Sequence, residues 1–133
     1  FHRLPDSVKS RLTVENDDKA SMYSVVDLYE GVYKVIGIPI VFDYHHHAFN
    51  TGGLSEEDAL EVAISTWPND IVPVVHYSES RQREQEDPKI RPQAHSDYII
   101  DYIDTYGNRV DIMVEAKHKE LAVLKYKKIH EVI

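Results

Sequence analysis

Apolar positions fall into two alternating rhythms along this chain. Short, nearly continuous apolar runs occur at RLTVEN (11–16), IPIVFDY (38–44), IVPVVHY (71–77) and VDIMVEAK (110–117). Longer stretches between and after them carry apolar residues three and four apart: MYSVVDLYEGVYKVI (22–36), LSEEDALEVAISTW (54–67), HSDYIIDYIDTYG (95–107) and HKELAVLKYKKIHEVI (118–133). The first pattern predicts strands covered on both faces, the second helices with one apolar face. Punctuation agrees. Gly37 closes the first helix and Pro39 opens the next strand, while Ser55 is the N-cap of the second helix. Glu56 and Glu57 lie in that helix's first turn, where carboxylates suit the helix dipole, and Asp58 holds the capping-box position. Pro73 inside the third run is a mild objection to a strand there. The polar stretch SESRQREQEDPKIRPQA (78–94) predicts an exposed loop, and FHRLPDSVKS (1–10) reads as the tail of a helix with its turn.

Strand starts recurring at intervals of roughly 30 residues, each strand followed by a helix, predict βα units in a parallel α/β sheet. A (β/α)8 TIM barrel needs about 250 residues. With 133 residues and four units, residues 1–133 are expected to form about half of one such barrel domain, the C-terminal half.

Composition narrows the chemistry. Cysteine is absent, so disulfides and thiolate metal sites are excluded, and a metal here must be held by imidazole nitrogen and carboxylate oxygen. A formal charge of −8 argues against a nucleic-acid binder that works by bulk charge alone. Divalent cations among the acidic groups would reverse that sign locally. No apolar run is long enough to cross a bilayer and none reads as a signal peptide, so a cytoplasmic location is expected. The chain opens on Phe1 rather than methionine and is expected to be a piece of something longer.

Each predicted strand ends in a group suited to metal ligation or proton transfer. Glu15 closes the first, Asp43 the second, His76 the third and Glu115 the fourth. In a parallel sheet all four stand at the C-terminal rim, where barrel enzymes build their active sites. Asp43 and His46 form a D-x-x-H pair as the chain leaves its strand, and His95 can be brought over the same rim by the long loop. Of the flanking His45 and His47, one is expected to support the ligands and the other to face solvent, while His2, His118 and His130 are assigned to the surface. Asn16, Asp17 and Asp18 are either supporting residues or an acidic start to a loop, and Tyr77 either stacks on a ligand or packs in the core. Hard carboxylates with imidazoles suit Mn²⁺, Zn²⁺ or Mg²⁺ and point to metal-assisted hydrolysis or isomerisation. No glycine-rich phosphate loop or nucleophile elbow is present. In the long loop Arg81, Arg83, Lys89 and Arg91, interleaved with Glu84, Glu86 and Asp87, are candidates for phosphate contact.

The ordered motifs LTVENDD, PIVFDYHHHAFN, VVHYSESR, AHSDYI and VDIMVEAKHKELAV resemble the C-terminal half of the UV damage endonucleases, over nearly all of the chain beyond residue 10. These are (β/α)8 relatives of endonuclease IV that nick DNA 5′ to UV photoproducts and abasic sites with divalent metals, typically manganese. The resemblance implies that Glu15, Asp43, His46, His76, His95 and Glu115 are metal ligands, with Glu15, Asp43, His76 and Glu115 at the reacting centre. It implies UV-damaged duplex DNA as the partner; Arg81, Arg83 and Tyr77 are the candidates for contact with it on the reading of the long loop and of Tyr77 given above. Some family members carry a modified lysine two residues before the histidine of the third strand, where Val74 stands here. The family's lesion-probing aromatic and glutamine residues, and further histidine ligands, belong to the N-terminal half. Two other readings are a sugar isomerase of the same barrel type and a metal-binding fragment without turnover. A half barrel also leaves two open sheet edges, so the chain is expected to self-associate; without the lesion-probing residues it is expected to nick poorly alone.

Overall fold

The computed structural model describes residues 1–19 and 21–131. It is a mixed α/β structure around a four-stranded parallel sheet, β1 (Val14–Glu15), β2 (Ile40–Asp43), β3 (Val74–Tyr77) and β4 (Asp111–Val114), in the order β1-β2-β3-β4. Each strand lies beside its predecessor in the chain, as helical crossovers between parallel neighbours produce. The register pairs Glu15 with Val41, Asp43 with His76, and His76 with Met113. Asp43 and His76 are therefore level, whereas Glu15 pairs two residues short of Asp43 and Glu115 follows the partner of His76 by two residues.

After the short helix α1 (Asp6–Lys9) and β1, the first crossover is α2 (Val25–Leu28), a π-helical turn (Tyr29–Tyr33) and α3 (Lys34–Ile36) in one run. Ser24 caps it through a reciprocal capping box with Asp27, and Gly37 ends it at φ 72°, a left-handed conformation that glycine adopts without steric cost. The second crossover is α5 (Glu56–Ser65), where the Ser55 hydroxyl accepts from the Asp58 N–H as the capping pattern predicts. Beyond β4 runs α7 (Glu120–His130); Val132 and Ile133, the end of the expected helix, lie outside the described residues.

The core lies between α2, α5 and the sheet and includes Val25, Leu28, Ile40, Phe42, Ala59, Leu60, Ala63, Val75 and Ile99. Phe42 and Ile40 are fully buried. The end of α5 is locked onto β2: Ile40 N–H donates to Thr66 Oγ1 (2.8 Å) and the Trp67 indole N–H donates to the Ile40 carbonyl (2.7 Å). Pro73 sits just outside β3, so its missing N–H costs the ladder nothing while its carbonyl accepts from Asp111 N–H.

Three sequence expectations need correction. Tyr44 does not prolong β2 but opens a further short helix, α4 (Tyr44–Phe49), which contains all three consecutive histidines. The polar loop contains the short helix α6 (Arg81–Gln85). Residues 95–107 form no helix. Their backbone groups go elsewhere: Ser96 N–H donates to the Glu79 carbonyl and Ile103 N–H to the Tyr126 hydroxyl, and the Asp104 carbonyl accepts from the Tyr44 hydroxyl. Ile99 and Ile103 still reach the core, so the apolar spacing marks buried positions here without a helical backbone.

Candidate metal centre

The four strand-end residues converge. Glu15, Asp43, His76 and Glu115 each present one ligand atom, and these four atoms lie within 4.8 Å of one another. Alternation along the strands sends Asp43 and His76 to this face and the neighbouring Phe42 into the core. The His76 imidazole lies against Glu15 Oε2, with Glu115 Oε1 at 3.3 Å. Yet its buried Nδ1 has no hydrogen-bond partner, because neither carboxylate is aligned to receive its proton. A buried ring nitrogen among three carboxylates, without an aligned partner, fits a divalent cation taking its lone pair.

His46 and His95 stand at the edge of this quartet. His46 Nδ1 is 3.3 Å from Glu15 Oε1 and 3.5 Å from Asp43 Oδ2, and donates to the Asn16 carbonyl at 2.8 Å. His95 Nδ1 is 4.0 Å from Glu115 Oε2. All six sequence candidates are thus brought to one place, four tightly and two at the margin.

The charges are strongly coupled. Burial pushes the Asp43 carboxyl up to about 6, against the opposing pull of the His46 backbone N–H and ring, and Glu15 and Glu115 add to the rise. Burial would also raise Glu15, but the His46 and His76 imidazoles outweigh it and hold it below its ordinary value. Hydrogen bonding to Glu15 lifts His46 to about 9 despite partial burial, with Asp43 helping. Without a cation, these carboxylates therefore draw a proton onto His46.

One supporting residue was left undecided by the sequence. Asn16 is buried and bridges the strand ends at two points: Asp43 N–H donates to its Oδ1 (2.9 Å) and its Nδ2 donates to the Asp43 carbonyl (3.1 Å). The amide imitates one more rung of the β1–β2 ladder and fixes Asp43 where the strands stop pairing. The available signal was its place directly after the last β1 residue, where an amide can satisfy a neighbour's backbone. Asp43 also caps α4, accepting the His46 N–H at Oδ1 (2.9 Å), which turns the histidine run over the rim.

The other candidates are distributed as follows. Both His45 and His47 are buried, so neither faces solvent. Within α4, His45 donates to the Gln93 carbonyl (3.0 Å) and packs edge-on against His95, and His47 lies against Phe42. Burial lowers both imidazoles below the ordinary histidine value. Tyr77 is half-buried, packs edge-on against Tyr44 and donates its hydroxyl to Glu79 (2.8 Å). Arg81 pairs with Asp97 (2.5 Å), and Arg83 with Asp101 (2.6 Å) and more distantly Glu79 (3.5 Å). His2 and His118 are exposed as expected, whereas His130 is partly covered and donates to the Ile100 carbonyl (2.7 Å). Asp17 accepts from the Lys19 N–H and so starts a turn.

Carboxylates and an imidazole gathered at the C-terminal rim of a parallel α/β sheet define the class: an α/β chain with a candidate site for a hard cation. The family model for UV-endonuclease UvdE matches residues 1–132, and the chain belongs to that family. It is 36% identical to a UV DNA damage endonuclease of Bacillus cereus strain Q1, over 97% of this chain and 40% of the relative. Identity to the UV DNA damage endonuclease of Bacillus thuringiensis subsp. konkukian is 34%, covering 93% of this chain and 39% of that protein. The crystal structure of SacUVDE superposes with a TM-score of 0.78 at 33% identity, over 98% of this chain and 43% of that one. The chain thus spans about two fifths of the length of the relatives it matches.

Proposed function

We propose that this chain carries the divalent-metal centre of a DNA-repair endonuclease that nicks DNA 5′ to UV photoproducts and abasic sites. The observation that carries the proposal is the quartet of Glu15, Asp43, His76 and Glu115, its ligand atoms within 4.8 Å, in a chain of the UvdE family. These four would hold the metal, with His46 and His95 completing the shell and Mn²⁺ the favoured ion over Zn²⁺ or Mg²⁺. When bound, the metal supplies Lewis-acid activation of a phosphodiester and of attacking water. The chain's own residues supply position. Asn16 fixes Asp43, and the Asn16 carbonyl holds His46 by its Nδ1–H, the kind of outer contact that orients a ligating imidazole.

The four parallel strands are read as half of a (β/α)8 barrel, residues 1–133 being the C-terminal half of one domain. β1 and β4 each have a single strand neighbour in the sheet, leaving open edges. Alone, the chain self-associates through them and nicks poorly. Fused in place of the matching segment of the Bacillus cereus relative, it restores Mn²⁺-dependent nicking of UV-irradiated plasmid, and Asp43→Ala in the fusion abolishes it. A folded fusion that binds DNA but never nicks it refutes the function. For the chain alone, sedimentation at several concentrations accompanies the assay; a monomer throughout refutes the edge argument.

A further inference from the structure

Beside the centre, a polar groove of about 390 Å³ opens between two strips of backbone and is lined by Arg91, Gln93, Ala94, His95, Ala116 and Lys117. We propose that Arg91 and Lys117 form a clamp for a backbone phosphate of a nucleic-acid strand lying across the rim; the proposal rests on the endonuclease reading for its context.

The charge balance favours cations beside the rim. The chain carries −8, and three carboxylates, Glu15, Asp43 and Glu115, crowd the rim. A phosphodiester approaching it meets a repulsive field, which a metal held there and side-chain cations within about 8 Å, the Debye length at physiological salt, would offset. The sequence offered Arg81 and Arg83 first, but both guanidiniums are engaged by carboxylates, so reaching a phosphate requires giving up Asp97 and Asp101. Among the described residues, neither Arg91 nor Lys117 has an ion-pair or side-chain hydrogen-bond partner. Their charges are free for an external anion.

Both cations also stand on fixed backbone. The strip carrying Arg91 is tied down by Ser80 Oγ to the Pro92 carbonyl (2.7 Å), Gln82 Nε2 to the Ile90 carbonyl (2.9 Å) and His45 Nε2 to the Gln93 carbonyl (3.0 Å). The opposite strip is tied by Lys117 N–H donating to the Ser96 carbonyl (2.9 Å) and Glu115 N–H to the Tyr77 carbonyl (2.9 Å). Lys117 follows Glu115 by two residues, and His95 forms part of the groove wall. A phosphate held there therefore sits one step from the metal ligands. That is the place of a phosphate flanking the scissile one.

The test is binding of an undamaged duplex oligonucleotide by the whole chain, followed by fluorescence anisotropy over a range of salt, with and without Mn²⁺. Loss of the one clamped phosphate in Arg91→Gln plus Lys117→Gln makes the log-affinity against log-salt slope shallower by about 0.9. Lys127→Gln plus Lys128→Gln, the same charge change in the last turn of α7, leaves the slope as in wild type. Arg91→Lys plus Lys117→Arg keeps it too, showing that charge at those positions is what counts. An unchanged slope in the first variant, an equal loss in the α7 variant, or no binding by the wild-type chain even at low salt overturns the clamp. Failure of the metal reading looks different: Mn²⁺ then changes no affinity, while the slope difference persists.

Discussion

At the scale of single residues, the candidate centre is held in place by Asn16 as much as by the strand-end residues themselves. A buried amide spanning two backbone groups of Asp43 gives the aspartate one orientation at the point where the ladder ends. Removing it leaves a buried N–H and carbonyl unpaired. Asn16→Ala is therefore expected to destabilise the fold by about 1–3 kcal/mol in urea denaturation. It should also weaken Mn²⁺ binding by about 10–100-fold in calorimetry, the usual cost of losing an outer-shell partner. A variant with wild-type metal affinity would show that Asp43 needs no such support. The convergence of the strand-end residues was legible in the sequence because each closes an apolar strand; the position of Asn16 was not, since it depends on β2 lying alongside β1. Likewise His45 and His47 looked like rim residues, and only the turn of α4 reveals that both are buried.

At the scale of elements, strands and amphipathic crossovers were legible because burial on a sheet imposes a period that local chemistry reinforces. The segment 95–107 escaped because its period came without a helix. Two carboxylates from the preceding loop take its N–H groups: Glu79 accepts from Ile100 and Asp101 (3.0 Å each), and Glu84 from Asp97 and Tyr98 (2.9 Å each). A helix would have had to compete with these charge-assisted bonds. Sequence alone cannot say which distant carboxylate will arrive. The staple has a pH signature. Partial burial raises the Glu84 carboxyl, but the Asp97 and Tyr98 N–H groups outweigh it and hold it below its ordinary 4.5. With the folded value depressed, the unfolded chain binds the proton more readily. The stabilisation is thus fully present above about pH 4.5 and is lost as pH falls through the folded value. Urea midpoints of wild type and Glu84→Gln should differ at pH 7 and converge below about pH 4.5. A constant gap across that range would mean the carboxylate's charge is irrelevant to the staple.

At the scale of the whole molecule, one side of the structure is left bare. Met113 on β4 and Leu121, Leu124 and Ile129 on α7 are 45–60% exposed, and Ala122 is the only α7 residue buried among those described. The four-unit pattern was readable because each unit is local in sequence. The rim centre is complete enough to be tested directly. Mn²⁺ titration by calorimetry of wild type, Asp43→Ala, His76→Ala and His130→Ala asks whether the strand-end quartet binds a cation. The account predicts one metal-dependent transition in wild type and in His130→Ala, and binding weakened at least tenfold in Asp43→Ala and His76→Ala. Equal binding by all four proteins would contradict it.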